Sequence, residues 1–111
     1  MTTAQLLIDE LRARHQTIAF CESLTAGLAS ATLADVPGAS DALVGGLVTY
    51  SPELKTALAD VPADLIESEG VVSAAVAREM ARGARRVCGA DWAVALTGVA
   101  GPDAQDDVPA G

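Results

Sequence analysis

The sequence predicts an α/β domain on a mixed or parallel sheet, and three observations carry that prediction. Short apolar runs of strand length alternate with longer stretches of helical periodicity. Half of the 111 residues are hydrophobic, yet Phe, Tyr and Trp occur once each, so the core falls to Ala, Val, Leu and Ile. That composition suits helices packed on a largely buried sheet. Three of the apolar runs also pass directly into hydroxyl- and glycine-bearing junctions, in residues 19–27, 45–55 and 95–103.

Taken in order, Thr2 and Thr3 offer caps for a first helix whose apolar stripe is Ala4, Leu7, Ile8 and Leu11 and which ends near His15. Residues 17–21 read as the first strand, and a small-residue helix follows from Leu24 to Leu33 until Asp35-Val36-Pro37-Gly38 breaks it. Its alanines and Gly27 suit close packing on the sheet. The second strand is expected from Ala42 to Tyr50, with Gly45-Gly46 permitting a bulge or a close backbone approach. Ser51 then reads as an N-cap and Pro52 as the first helical residue, which puts Lys55 in the opening turns of that helix. After Val61-Pro62 a short helix from Ala63 to Ser68 stops at Gly70. Ser73 caps a longer helix from Ala74 to Val87, with Val76, Met80, Ala84 and Val87 on its inner face, and Trp92 to Leu96 form the last strand. The remaining stretch, GPDAQDDVPAG, is loop-like. A core strand followed directly by a polar loop is expected to need a neighbour, so the fold is expected to continue beyond these residues.

Composition excludes several function classes. One domain is expected from this length. A formal net charge of -8 and a pI near 4.3 oppose recruitment of a polyphosphate backbone, so no nucleic-acid partner is expected. Arg78, Arg82, Arg85 and Arg86 share one stretch that admits an anion patch, but with Glu79 among them they read as the solvated face of a helix. Cys21 and Cys88 lack the paired spacing of a metal site, and His15 is the only histidine, so neither a metal nor a cofactor is expected. Unpaired cysteines fit a reduced, cytoplasmic protein. Cys21, in an apolar strand, reads as an inert buried thiol rather than a nucleophile. No apolar run has the length of a membrane span and no leader pattern is present at the start, so no membrane partner is expected.

The three junctions offer chemistry as well as packing. The first turn of a helix has amides without intrahelical partners, which can hold an anion beside the hydroxyls of Ser23 and Thr25. The second junction places Tyr50, Ser51 and Lys55 after a strand, adding a candidate base. The third, with Thr97, Gly98 and Gly101, has the makings of an amide-lined phosphate cradle. Small residues at such junctions serve packing alone in many folds, and Lys55 by itself reads as an exposed helix lysine.

The segments CESLTAG, DVPGAS, GGLVTYSPELK, EGVVS and LTGVAGPD occur in the order and spacing of the CinA C-terminal domain family, which the chain resembles over essentially its whole length. The resemblance implies a three-layer α/β/α sandwich with a mixed sheet. It also implies hydrolysis of the carboxamide of nicotinamide mononucleotide to nicotinic acid mononucleotide and ammonia. In that family the serine of the first motif is the nucleophile, and the tyrosine and lysine of the second activate it, which here are Ser23, Tyr50 and Lys55. Elementary chemistry agrees. A carboxamide needs an activated nucleophile, an oxyanion site and a proton for ammonia. With no histidine near the motifs, a lysine whose pKa is lowered by burial or a neighbouring cation is a fitting base, with Tyr50 relaying the proton or orienting Lys55.

Thr25 with the amides after Ser23 is the candidate oxyanion site, Gly27 supports the same loop, and Thr97, Gly98 and Gly101 are candidates for substrate binding. Leu24 stands where the family commonly has cysteine and Ala26 where it commonly has a second glycine. The family also continues with a further strand, helix and phosphate-binding residues, which makes a non-catalytic nucleotide- or partner-binding module the alternative to an amidase. Truncated edges and an apolar composition predict a homo-oligomer. The early first helix is expected of a stand-alone form rather than a fusion.

Overall fold

The computed structural model describes residues 1–111. Five α-helices and three strands follow one another as α1 (Thr3–Arg14), β1 (Ile18–Glu22), α2 (Leu28–Ala34), β2 (Leu43–Val48), α3 (Pro52–Ala59), α4 (Ala63–Glu69), α5 (Ala74–Cys88) and β3 (Trp92–Leu96), with one 3-10 turn at Ala39–Asp41. The strands form a parallel sheet in the order β2-β1-β3. The fold is therefore α/β as expected, and no antiparallel strand joins the sheet within these residues.

The order explains the layers. The crossover from β1 to β2 and the one from β2 to β3 run in opposite directions across the sheet, so right-handed connections put their helices on opposite faces. One face packs Ile18 and Phe20 of β1 against Ile8 and Leu11 of α1 and Leu33 of α2. The other packs Cys21 against Ala59, Val61 and the α5 residues Val76, Met80 and Ala84. All five residues of β1 are buried, which is why it reads as an uninterrupted apolar run ending in an unexpected Glu22.

Most boundaries follow local chemistry. The Thr2, Ser51 and Ser73 hydroxyls accept from the amides of Gln5, Leu54 and Val76, capping α1, α3 and α5 as the sequence suggests. The bulge expected near Gly45 is present: Ile18 pairs with Leu43 but Ala19 with Gly45, leaving Val44 extra. Close approach occurs at Gly46, where a Cβ would collide with the Ser30 hydroxyl. Gly83 performs the same service between helices, because a Cβ there would overlap the Ala59 carbonyl of α3.

Four expectations need correction. The first strand lies one residue later than expected, at Ile18–Glu22, and the second ends at Val48 rather than Tyr50. α2 starts at Leu28 rather than Leu24, since Ala26 and Gly27 adopt left-handed φ values of 52° and 105° that a helix cannot contain. Val87 is exposed and Gly83 takes its place on the buried face of α5. The four arginines of α5 are all exposed; Arg82 pairs with Glu79 and Arg86 with Asp60, in keeping with a solvated face. No helix is long and apolar enough to cross a membrane.

Candidate active site

The site lies at the C-terminal edge of the sheet, where the chains leaving β1, β2 and β3 diverge, the usual location of ligands in open parallel sheets. The Ser23 amide donates to the Leu96 carbonyl at 2.9 Å, which prolongs the β1–β3 pairing by one residue and places Ser23 at the sheet edge. On the other side the Thr49 amide donates to the Glu22 carbonyl at 2.7 Å. Beyond Thr49 the Ser51 cap turns the chain into α3 and aims Lys55 back across the edge.

Lys55 is 1% exposed, and its ammonium donates to Ser23 Oγ at 3.0 Å and to the Thr49 carbonyl at 2.8 Å. No carboxylate pairs with it: the four ion pairs of the chain all involve arginines. Burial pushes its pKa down from the ordinary lysine value, and the charges of Cys21 and Glu53 only partly offset this. A buried lysine without a counter-ion loses its proton readily, and its lone pair then faces a serine hydroxyl. Cys21 lies beneath the pair with its Sγ 3.5 Å from Thr49 Oγ1. Burial pushes that thiol up, although its bond to Thr49 and the charge of Lys55 pull it back, so it behaves as the inert thiol the sequence suggests.

The cleft in front of Ser23 and Lys55 holds about 180 Å³ and is bordered by Tyr50, Thr97, Gly98 and Gln105. Among the sequence candidates, Ser23, Tyr50, Lys55, Thr97 and Gly98 therefore converge. Thr25, Gly27 and Gly101 do not line this cleft. Thr25 Oγ1 donates to Glu22 Oε1 at 2.6 Å and the Gly27 amide to the same oxygen at 3.2 Å, so both face the protein's own carboxylate. Gly101 sits farther along the loop at φ 80°. Tyr50 is 63% exposed and has no hydrogen bond to Lys55 or Ser23, so the orienting role expected of it falls to the Thr49 carbonyl.

The first-turn amides of α2 are likewise occupied, with Ala29 and Ser30 donating to Glu22 at 2.9 Å each. The amides of Leu24 and Thr25 have no acceptor within the chain. Sequence reasoning missed Glu22, Thr49 and Gln105. Of these only Glu22 left a signal, a charged residue closing an apolar strand. No three His, Cys, Asp or Glu side chains are grouped to hold a metal ion.

A three-layer α/β/α domain carrying a buried serine–lysine pair at the carboxyl edge of its sheet is the class that fold and site define. Residues 1–111 match the CinA C-terminal domain, and the chain belongs to that family. It is 48% identical over 104 residues to a CinA-like protein of Synechococcus sp. strain RCC307, covering 94% of this chain and 25% of the relative. It is 53% identical over 108 residues to a competence-damage inducible protein of Streptococcus gordonii, covering 97% and 26%. The chain thus spans about a quarter of the length of the curated relatives it matches. Among solved structures it matches the competence/damage inducible protein CihA of Agrobacterium tumefaciens with a TM-score of 0.92 at 31% identity, covering 96% of this chain and 66% of that one. A CinA superfamily protein of Klebsiella pneumoniae matches with a TM-score of 0.93 at 33% identity, covering 97% and 68%.

Proposed function

We propose that the domain is an amidohydrolase that converts nicotinamide mononucleotide to nicotinic acid mononucleotide and ammonia, with Ser23 as nucleophile and Lys55 as general base. The observation that carries this reading is the 3.0 Å contact between Lys55 Nζ and Ser23 Oγ in a site where Lys55 is shielded from water. Membership of the CinA family supports the choice of substrate.

Neutral Lys55 takes the Ser23 proton as Oγ attacks the carboxamide carbon, and the amide of Leu24, on the wall of the cleft, receives the oxyanion. The lysine ammonium then protonates the departing nitrogen, leaving an acyl ester on Ser23 and free ammonia. Water, deprotonated by Lys55, hydrolyses the ester and restores the serine. Tyr50, whose hydroxyl has no partner in the free site, acts on the bound carboxamide from the mouth of the cleft. Thr97, Gly98 and Gln105 form the opposite wall. A cleft of about 180 Å³ is smaller than the ~300–1,000 Å³ that encloses a drug-sized ligand, which fits a pyridine carboxamide held inside with the ribose phosphate projecting outward. The two unpaired cysteines support the cytoplasmic setting expected from the sequence.

Ammonia release from nicotinamide mononucleotide by the purified chain, lost in Ser23→Ala, tests the reading. Binding of the nucleotide without turnover would favour the non-catalytic module.

A further inference from the structure

Glu22 closes the central strand and is fully buried, so its carboxylate has to be matched by donors. Five reach it. Oε1 accepts from the Thr25 hydroxyl at 2.6 Å, the Ala29 amide at 2.9 Å and the Gly27 amide at 3.2 Å. Oε2 accepts from the Ser30 hydroxyl at 2.6 Å and the Ser30 amide at 2.9 Å. The donors run from the middle of the turn after Ser23 into the first turn of α2, so one side chain ties that whole segment to the sheet. The turn's own backbone closes it only through the bonds from the Ala26 amide to the Ser23 carbonyl and from the Leu28 amide to the Thr25 carbonyl.

We propose that Glu22 is a positioning residue for the Ser23–Lys55 pair: by holding Thr25, Gly27, Ala29 and Ser30 it fixes the turn that carries Ser23, and thereby aims Ser23 Oγ at Lys55 Nζ. The inference rests on the reading of Ser23 as the nucleophile and assigns a residue outside the cleft to the same reaction.

Three further observations support it. The main chain of Glu22 holds the other partner, since its carbonyl accepts from the Thr49 amide at 2.7 Å and the Thr49 carbonyl receives the Lys55 ammonium at 2.8 Å. Nucleophile and base are thus both referred to one residue. β2 leaves room for the second carboxylate oxygen's partner, because a Cβ on Gly46 would collide with the Ser30 hydroxyl. The clamp also consumes the α2 amides that would otherwise compete for an oxyanion, which leaves that task to the Leu24 amide, between the nucleophile and the clamp.

The three backbone amides can only donate, one of them to Oε2 and two to Oε1, so a carboxylate satisfies both sides where an amide leaves one N–H without an acceptor. In Glu22→Gln the new NH2 group cannot accept from the donors it faces, and the turn loses part of its tether. The test uses a small arenesulfonyl fluoride, whose sulfur is attacked by the serine oxygen with loss of fluoride, and follows intact mass with peptide mapping. Wild type, Glu22→Gln, Ser30→Ala and Ser23→Ala are compared well below their melting temperatures, with folding checked by circular dichroism. The maximal labelling rate of Ser23 is expected to fall about tenfold or more in Glu22→Gln and about threefold in Ser30→Ala, with the half-saturating reagent concentration within about twofold of wild type. A residue that only stabilises the fold leaves the rate per folded molecule unchanged. Equal maximal rates in the folded variants, or a loss confined to half-saturation, would overturn the proposal while leaving the nucleophile in place. Should Glu22→Gln not fold, Ser30→Ala decides alone by the same criterion. Wild-type protein unlabelled at Ser23 would overturn the nucleophile reading and this inference together.

Discussion

Lys55 Nζ stands 3.0 Å from Ser23 Oγ and 2.8 Å from the Thr49 carbonyl, joining residues of α3 and of the β1–α2 turn across the edge of the sheet. The lysine has one fixed acceptor in Thr49 and one partner able to give up a proton in Ser23. Its basicity is set by burial, which Cys21 and Glu53 offset only in part.

Activity should therefore rise with pH along the deprotonation of Lys55, with a midpoint below the ordinary lysine value of 10.5. Lys55→Met should lose at least about 10³-fold in kcat, and Lys55→Arg should not restore it because a guanidinium stays charged. A pH–rate profile with no rise anywhere below 10.5, or an active Lys55→Arg, would remove Lys55 from the role of base.

Glu22 predicts a distinct acid response. Burial alone would raise its pKa, but the hydroxyls of Ser30 and Thr25 and the amides of Ser30 and Ala29 outweigh that and hold it at about 2, down from 4.5. A depressed folded pKa contributes stability that is complete above the unfolded value and is lost as pH falls from there through about 2. The shift corresponds to on the order of 3 kcal/mol. Urea unfolding at pH 6 and pH 2.5 should show a loss in wild type that is larger than in Glu22→Gln by an amount of that order. Equal losses would mean that the carboxylate is not held as described.

Ala26 sits at φ 52°, a left-handed conformation in which its methyl group is strained. Ala26→Gly relieves that strain at some cost in unfolded-chain entropy, and a net gain of about 0.5–1 kcal/mol is expected from thermal or urea melts. A destabilised Ala26→Gly would show that the methyl group makes up for its strain by packing.

Much of the fold was legible in the sequence because its determinants are local. Ser51-Pro52 starts α3, Ser73 starts α5, and Trp92–Leu96 is an unbroken apolar run with neither glycine nor proline. Residues 24–27 read as helix because Leu24 and Ala26 are good helix formers, whereas Ala26 and Gly27 adopt left-handed φ values and the Gly27 amide donates to the Glu22 carboxylate. Ser23, Lys55, Thr97 and Gly98 could be named because motif chemistry sits at strand ends. The Thr49 carbonyl could not, since every residue has one and only the path of β2 past β1 selects this one. Thr25 and Gly27 looked like ligand donors because an open helix N-terminus attracts anions, and in this chain the anion is built in.

Tyr50 separates two roles. Its hydroxyl does not touch Lys55, so Tyr50→Phe should lower kcat by about tenfold or more through the bound carboxamide and leave the pH midpoint of the reaction unmoved. A shifted midpoint would mean that Tyr50 does orient the lysine in the working complex.

The most direct test is ammonia production from nicotinamide mononucleotide by the wild-type chain, Ser23→Ala and Lys55→Met, each confirmed as folded. The account predicts turnover in the wild type and its loss, by about 10³-fold or more, in both variants. Turnover retained in folded Ser23→Ala, or none in the wild type, would contradict it.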